Sequence, residues 1–252
     1  MINTPVIDMH SHVGRWGRPR IHDDPQRYLR IMDAAGIDKS CVSPPIISDH
    51  WRANNYVADF VSAYPDRFIG VAFVTPHYPE EVLPVLNKAF DEQRMAFIKI
   101  YPDYFGKPID DEAYFPVFNF ANERGLMVKS HATFPFDPVG TTIPNRFSAL
   151  SDRFPNVKWI LAHAGSSDPL SEKGPQAVQA ASTLEKVYLE TCSSGTAFNC
   201  IEASVDAAGE DRVLFGTDMT LMDSRQQIAK ITTSTLSEDI KIKILGETIA
   251  FA

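Results

Sequence analysis

The chain has 252 residues, of which 44% are hydrophobic and 22% charged, and its formal net charge is -8. This composition is typical of a soluble globular protein with a sizeable core, and it excludes an intrinsically disordered chain. The acidic balance, without a Lys/Arg-rich run, argues against a nucleic-acid partner, and no apolar stretch is long enough to predict a membrane span.

The cysteines and the first residues bear on the compartment. Three cysteines without a C-x-x-C pair favour a reducing environment over a disulfide framework. The chain enters its first strand within a few residues, and no signal-peptide pattern precedes it. We therefore expect a cytoplasmic protein.

Strand-like and helix-like segments alternate along the chain. The first strand leads into Asp8, and after a Gly- and Arg-rich loop a helix begins at its cap Asp24 and ends at Gly36. Further apolar, β-branched stretches predict strands at 39–43, 67–74, 96–101, 126–130, 157–162, 187–190 and 212–216. The segments that follow these strands predict helices at 51–64, 80–92, 111–124, 144–153, 169–182, 201–208, 224–231 and 237–246.

This alternation predicts the fold class. Strands that alternate with helices form a parallel sheet, and eight such units in a chain of this length predict a (β/α)₈ barrel, the TIM barrel of the α/β class. No low-complexity linker divides the sequence, so we expect one domain over residues 1–252.

The opening strand carries the first chemical signal. Asp8, His10 and His12 are spaced by two residues, and side chains two apart in a strand point to the same side. Two imidazoles and a carboxylate at one strand end suit a divalent metal. An isolated H-x-H pattern is also common among ordinary surface or core residues, so it does not by itself establish a metal site.

Further candidate ligands follow other predicted strands. His131 ends the fifth strand, His163 ends the sixth, and Asp218 follows the eighth. Active sites of (β/α)₈ barrels lie at the C-terminal ends of the strands. The shared placement of these side chains therefore predicts a metal site of three or four histidines and one aspartate.

These motifs resemble a known family. Segments 8–12, 129–131, 161–165 and 216–218 resemble the motifs of the amidohydrolase superfamily, and more narrowly its amidohydrolase-related branch of metal-dependent hydrolases and non-oxidative decarboxylases. Segments 98–102, 108–111 and 244–247 fit the same pattern. The resemblance therefore covers nearly the whole chain.

The resemblance implies a ligand set. It assigns His10, His12, His131 and Asp218 to one divalent metal per chain, with zinc as the first expectation and manganese as the other. Some superfamily members bridge two metals with a carboxylated lysine from the fourth strand, where Lys99 lies. A second metal is therefore an alternative, although the branch that this chain resembles usually binds one.

The resemblance also implies catalytic roles. A metal-activated water is the expected nucleophile, with Asp218 as its general base. His163 is expected to polarise a substrate carbonyl or, in a two-metal variant, to become a ligand. Asp8 is expected to orient a ligand imidazole, and a buried, hydrogen-bonded acid is the alternative for it.

Several side chains are candidates for substrate binding. Arg15 and Trp16 follow the first ligand pair, and an arginine there suits a substrate carboxylate. Tyr101 ends the predicted fourth strand and is expected to line the pocket. Weaker candidates, for which solvent exposure or ordinary packing is the alternative, are Arg18, Asp103, Phe134 and Phe136.

The main functional expectation is a metal-dependent hydrolase that acts on a lactone, ester or amide of a small carboxylated molecule. The alternative is a non-oxidative decarboxylase of an aromatic or unsaturated acid on the same ligands. A TatD-like nuclease is a weaker candidate, because those enzymes typically have Glu-Thr-Asp on the eighth strand and Glu on the fourth, where this chain has Gly216 and Lys99. We expect a small-molecule substrate and no membrane partner. A homodimer is an alternative to a monomer, and the sequence does not decide between them.

Overall fold

The computed structural model describes residues 4–14, 24–44, 46–132, 144–163, 176–192 and 198–248. Eight strands lie side by side in sequence order, and each pairs in parallel with the next. The predicted (β/α)₈ barrel is therefore confirmed. The strands are β1 (Ile7–His12), β2 (Lys39–Ser43), β3 (Phe68–Phe73), β4 (Phe97–Ile100), β5 (Met127–Ser130), β6 (Lys158–Leu161), β7 (Val187–Glu190) and β8 (Val213–Leu214).

Helices follow the strands around the barrel. The first begins as predicted, because the Asp24 carboxylate accepts a hydrogen bond from Gln26 N, and it ends at Gly36, whose φ of 72° is left-handed. The helices in the described ranges are α1 (Pro25–Ala35), α2 (His50–Ser62), α3 (Val82–Asn87), α4 (Pro102–Phe105), α5 (Phe115–Arg124), α6 (Pro144–Arg153), α7 (Gln176–Thr183), α8 (Cys200–Ala208), α9 (Ser224–Thr232) and α10 (Glu238–Ile242). None of them has the length and apolarity that crossing a bilayer requires.

Several boundaries differ from the prediction. The helix predicted at 80–92 is a 3₁₀ turn, α3 and a π-helical turn in succession, and Pro84 is accommodated in the first turn of α3, where its missing N–H leaves no bond unmade. The final helix likewise passes from α10 into a π-helical turn over Lys243–Glu247. The first part of the helix predicted at 169–182 lies outside the described residues.

The barrel closes through an irregular segment that follows β8. Met9 N donates to Phe215 O at 2.9 Å, Asp218 N to His10 O at 2.7 Å, and His12 N to Met219 O at 2.6 Å. These bonds fasten residues 215–219 to β1, although β8 itself is shorter than the predicted strand. They also place Asp218 beside the two histidines of β1.

The barrel interior is filled below its mouth. One cluster of buried apolar side chains comes from six of the strands: Met9, Cys41, Val71, Phe97, Ile160 and Leu214. A larger apolar cluster fills the space between the sheet and the helices. The interior cluster forms a closed floor, above which the polar side chains of the mouth are gathered.

Candidate metal centre

His10, His12 and Asp218 form a compact group at the barrel mouth. The two histidines end β1, and Asp218 lies in the closing segment after β8. Asp218 Oδ1 is 3.1 Å from His12 Nε2 and 3.7 Å from His10 Nε2. One ligand atom of each residue lies within 4.8 Å of the other two, and all three residues are buried. The arrangement brings two imidazoles and a carboxylate to one point.

The donor atoms of this group fit a divalent metal. His10 Nε2 and Asp218 Oδ1 are buried, and neither has a hydrogen-bond partner within the described ranges. Buried polar atoms are seldom left unpaired in proteins. Imidazole nitrogen and carboxylate oxygen are donors that both zinc and manganese accept. An ion between these atoms would satisfy both of them.

Glu190 holds the opposite side of the His10 ring. Its Oε2 lies 2.8 Å from His10 Nδ1, and both side chains are fully buried. A proton on Nδ1 that is donated to this carboxylate leaves the lone pair of Nε2 free for a metal. Gly216 makes room for the carboxylate, since a Cβ there would lie 1.8 Å from Glu190 Oε1.

His163 and His131 form a second part of the mouth. His163 follows β6 with a φ of 61°, and its ring centroid lies 5.0 Å from that of His10 and 4.8 Å from that of His131. His131 follows β5, and its Nδ1 lies 2.5 Å from Asp103 Oδ2. Among the described residues, His131 is outside the group of His10, His12 and Asp218. Its role as a metal ligand therefore stays a prediction.

Burial and neighbouring charges set the protonation of the site. Burial lowers the pKa values of His10, His131 and His163, which keeps these imidazoles neutral, the form that binds metals. Burial alone would raise the pKa of Asp218. The close contact of Asp218 Oδ1 with His12 Nε2, at 3.1 Å, outweighs that effect, so the pKa of Asp218 lies well below its usual range. Asp218 is therefore ionised.

Asp8 acts on the backbone of the site. Its carboxylate accepts hydrogen bonds from His10 N, from Thr217 N and Oγ1, and from Ser40 Oγ. Asp8 thus ties β1 to β2 and to the closing segment. It contacts His10 through the main chain rather than through the ring, and the carboxylate that orients the imidazole is that of Glu190. Burial raises the pKa of Asp8 to about 7.

The predicted substrate-binding residues divide into two sets. Tyr101 is buried in the mouth, with its ring centroid 6.5 Å from that of His12 and 5.9 Å from that of His131. Tyr104 adds a second phenol ring, 4.9 Å from His131, that is half exposed. Other predicted candidates lie outside the described residues: Arg15, Trp16, Arg18, Phe134 and Phe136.

Two polar side chains of the site were not predicted from the sequence, and a third has a different role. Glu190 and Cys192 lie at the end of β7, and the Cys192 Sγ is 3.1 Å from Glu190 Oε2 and 3.3 Å from His163 Nδ1. Asp103, expected only as a pocket residue, is the partner of His131. The signal that would have found Glu190 was its position, because it ends a barrel strand as the predicted ligands do.

Comparisons with known proteins agree with this architecture. A protein of Dictyostelium discoideum named 2-amino-3-carboxymuconate-6-semialdehyde decarboxylase is 24% identical over 181 residues, which are 59% of this chain and 50% of that protein. The chain thus aligns with about half the length of this curated relative.

Two solved structures show the same fold. The 5-carboxyvanillate decarboxylase of Sphingomonas paucimobilis is 18% identical, with a TM-score of 0.75 over 98% of both chains. A dihydroxybenzoic acid decarboxylase from Polaromonas sp. JS666, whose structure holds manganese and the inhibitor 2-nitroresorcinol, is 20% identical, with a TM-score of 0.75 over 97% of this chain and 95% of that one.

The fold and the mouth define a (β/α)₈ barrel in which side chains that could hold a metal ion lie at the carboxyl ends of the strands. The model of the amidohydrolase family matches residues 7–250. The chain therefore belongs to the amidohydrolase family, as its motifs predicted.

One expectation is corrected by these comparisons. Hydrolysis of a lactone, ester or amide was the principal activity predicted from the sequence, and it is wrong as the principal activity, because the curated relative and the two solved structures described above are decarboxylases. The two activities share one ligand set. The motifs that identified the family therefore carried no information about which bond is broken.

Proposed function

We propose that the protein is a metal-dependent, non-oxidative decarboxylase of a small aromatic or unsaturated carboxylic acid. The observation that carries the proposal is the group of His10, His12 and Asp218, in which two buried donor atoms lack partners among the described residues. The names of the relatives support decarboxylation as the reaction.

His10, His12, His131 and Asp218 would hold the metal. When bound, a divalent metal supplies a Lewis acid that polarises a substrate oxygen. The donor set of nitrogen and oxygen admits zinc and manganese, and the manganese in the dihydroxybenzoic acid decarboxylase structure supports manganese for this chain. A second group of possible ligands in the described residues comprises His10, His163, Glu190 and Cys192. We expect one ion per chain, because this group shares His10 with the first, and Glu190 already accepts the hydrogen bond of His10 Nδ1.

The reaction requires one proton at carbon. Decarboxylation breaks the bond to the carboxylate carbon, leaves the bonding pair on the remaining carbon, and replaces CO₂ there with a proton. Burial keeps His163 neutral, and the contact with His12 keeps Asp218 ionised, because these surroundings lower both pKa values. Each side chain therefore takes up a proton before it delivers one, and we assign this transfer to these two residues.

The walls of the mouth suit a flat, unsaturated substrate. Tyr101 and Tyr104 lie 5.9 Å apart with their ring planes at 90°, and their centroids lie 5.9 Å and 4.9 Å from that of the His131 ring. Aromatic surfaces of this kind pack against planar π-systems. These rings support the expectation of a small-molecule substrate, and homodimerisation stays a prediction.

The proposal is tested by measuring CO₂ release. The protein is loaded with either manganese or zinc and incubated with 2,6-dihydroxybenzoate, with 5-carboxyvanillate, and with a panel of aromatic lactones and esters. We expect metal-dependent release of CO₂ from an aromatic acid, lost in Asp218→Asn, which keeps the size of the side chain. Metal-dependent cleavage of a lactone or ester without any CO₂ release would contradict the proposal.

A further inference from the structure

Lys99 is a buried amine that the proposed reaction has not yet used, and burial lowers the pKa of its ammonium form to about 7. It lies on β4 and is fully buried, and its Nζ has no hydrogen-bond partner in the described part of the chain. An ammonium group that makes no hydrogen bond in a protein interior is costly, because it loses its hydration, and the Tyr101 ring at 4.8 Å offsets only part of that loss. Such a group is expected where a ligand supplies the missing partner.

The neighbouring strand offers a direct comparison. Lys129 of β5 is the register partner of Lys99 and is also fully buried. Its Nζ donates a hydrogen bond to Met9 O at 2.6 Å. One of the two interior lysines is thus satisfied by the main chain, whereas the other has no such bond within the described residues. Hydrogen bonding to the barrel main chain therefore accounts for the burial of Lys129, but not for the burial of Lys99.

The Lys99 side chain lies at the bottom of the mouth. Phe97, two residues earlier on β4, belongs to the apolar floor, so Lys99 is one step nearer the carboxyl ends of the strands on the same side. Its Nζ is 4.8 Å from the ring centroid of Tyr101, which faces His12 and His131. The positive charge of Lys99 contributes to lowering the pKa values of five buried groups of the site: His10, Asp103, His131, His163 and Asp218.

We propose that Lys99 binds the carboxylate of the substrate, so that the acid enters the mouth carboxylate first and its unsaturated part packs against Tyr101 and Tyr104. This inference rests on the proposed function, and it adds the orientation of the substrate and the group that selects for its anionic end. An ammonium and a carboxylate form a charge-assisted hydrogen bond, which is stronger than a bond between neutral groups.

The orientation explains why the aromatic wall lies above the lysine. Tyr104 is half exposed at the rim, whereas Tyr101 is buried beside Lys99. A planar acid that is anchored at Lys99 spans the distance from the floor to the rim along these two rings. An aromatic ligand that lacks a carboxylate can still pack against Tyr101 and Tyr104, but it cannot bind Lys99. The contribution of the carboxylate to the affinity can therefore be measured separately.

The test compares two probes that differ only in the carboxylate. The affinities of the manganese-loaded protein for 2,6-dihydroxybenzoate and for resorcinol are measured by calorimetry in the wild type and in Lys99→Met, which keeps the length of the side chain. We expect Lys99→Met to weaken binding of the acid by about 10- to 100-fold, the value of a charge-assisted hydrogen bond, and to change resorcinol binding by less than about twofold. Lys129→Met is the matched control, and its ratio of the two affinities should stay within about twofold of the wild type.

Stability separates this role from a structural one. Removal of an unpaired buried charge is stabilising, so the thermal midpoint of Lys99→Met should rise, with unchanged metal content. A structure of the wild type with manganese and 2,6-dihydroxybenzoate gives a measurement that needs no variant. It should show a carboxylate oxygen within about 3 Å of Lys99 Nζ.

Each outcome decides between the two proposals. If Lys99→Met binds the acid as tightly as the wild type, or if the bound carboxylate points to solvent, the assignment of Lys99 is overturned even where CO₂ is released. If the wild type binds neither probe, the assignment is also overturned. If the acid depends on Lys99 for binding but no CO₂ is released, the anchor stands and the decarboxylase proposal fails.

Discussion

Substitution of Glu190 should weaken metal binding, although Glu190 is not proposed as a ligand. Its Oε2 accepts from His10 Nδ1 at 2.8 Å, and its Oε1 accepts from Cys192 N at 2.6 Å, with all groups buried. Without the carboxylate, the His10 proton is free to move to Nε2. That tautomer has no lone pair for the metal, so the loss acts through the ring rather than through a direct contact.

The size of the effect follows from the hydrogen bonds that the Glu190 carboxylate accepts from His10 Nδ1, from Cys192 N and from the Cys192 thiol. Loss of a partner that orients a ligand imidazole typically lowers metal affinity by about 10- to 100-fold, or about 1.4–2.8 kcal/mol. Glu190→Ala removes both acceptor oxygens, so we expect the upper end of this range. Glu190→Gln keeps one carbonyl oxygen for His10 but presents an amide N–H₂ to Cys192 N, and we expect the lower end.

The assay is competition with a chromophoric chelator for zinc and for manganese at neutral pH. Glu81→Gln is the control, because Glu81 Oε2 makes the same kind of contact, 3.1 Å from His50 Nε2, outside the metal-binding group. Its metal affinity should equal that of the wild type. A folded Glu190→Ala protein with unchanged metal affinity would refute the idea that this carboxylate sets the tautomer of His10.

Three further predictions concern residues around the site. Gly216→Ala should displace Glu190, since the new Cβ would lie 1.8 Å from its Oε1, and should reduce both metal affinity and the free energy of unfolding, the latter by about 1–3 kcal/mol in urea titrations. Asp8→Ala removes the acceptor of His10 N and Thr217 N, while the Ser40 and Thr217 hydroxyls keep a second acceptor, and it should cost on the order of 3–5 kcal/mol; Asp8→Asn can keep the bonds by donating to the two hydroxyls. Burial raises the pKa of Asp8 to about 7, so ionisation of this carboxyl opposes folding. As the pH rises from about 4 to 7, the free energy of unfolding of Asp8→Asn should therefore increase relative to that of the wild type by up to about 4 kcal/mol. The same pH dependence of unfolding in both proteins would contradict this. Asp103→Asn should lower kcat/KM for the acid about 10-fold by freeing the His131 ring, with an unchanged thermal midpoint, and wild-type kcat/KM would show that Asp103 does not position His131.

The fold was predictable because its signals are local. The strand predicted at 39–43 matches β2 and that at 187–190 matches β7, since both are short segments with a valine and other apolar residues, bounded by polar residues or turns. The cap at Asp24 and the stop at Gly36 are likewise properties of single residues and their neighbours. Eight such units in order define the barrel with no knowledge of any distant contact.

The closure of the barrel was less predictable. The eighth strand was expected to run to Gly216, but β8 ends at Leu214, and the next residues bond irregularly to β1 instead of continuing the ladder. Their conformation is set by the fit of Gly216 against Glu190 and of Asp218 against His10. Such contacts join residues far apart in sequence, and no periodic pattern encodes them.

In the candidate site, too, the positions of residues along the strands were predictable, whereas contacts between distant residues were not. The position of His10, His12 and Asp218 at strand ends was visible in the sequence, and the structure brings these three together. The partners of the histidine rings were not visible, because Glu190 is 180 residues from His10 and Asp103 is 28 residues from His131. Whether His131 joins the metal depends on distances that spacing alone cannot supply.

Two residues of the mouth have a left-handed backbone conformation that lowers the stability of the folded protein. His163 and Asp218 have φ values of 61° and 55°, a region that costs residues with a side chain roughly 1 kcal/mol or more and costs glycine little. Glycine at either position would relieve the backbone but remove a proton carrier. Retention of His163 and Asp218 despite this backbone cost would therefore mark diverging gene copies that are still selected for activity.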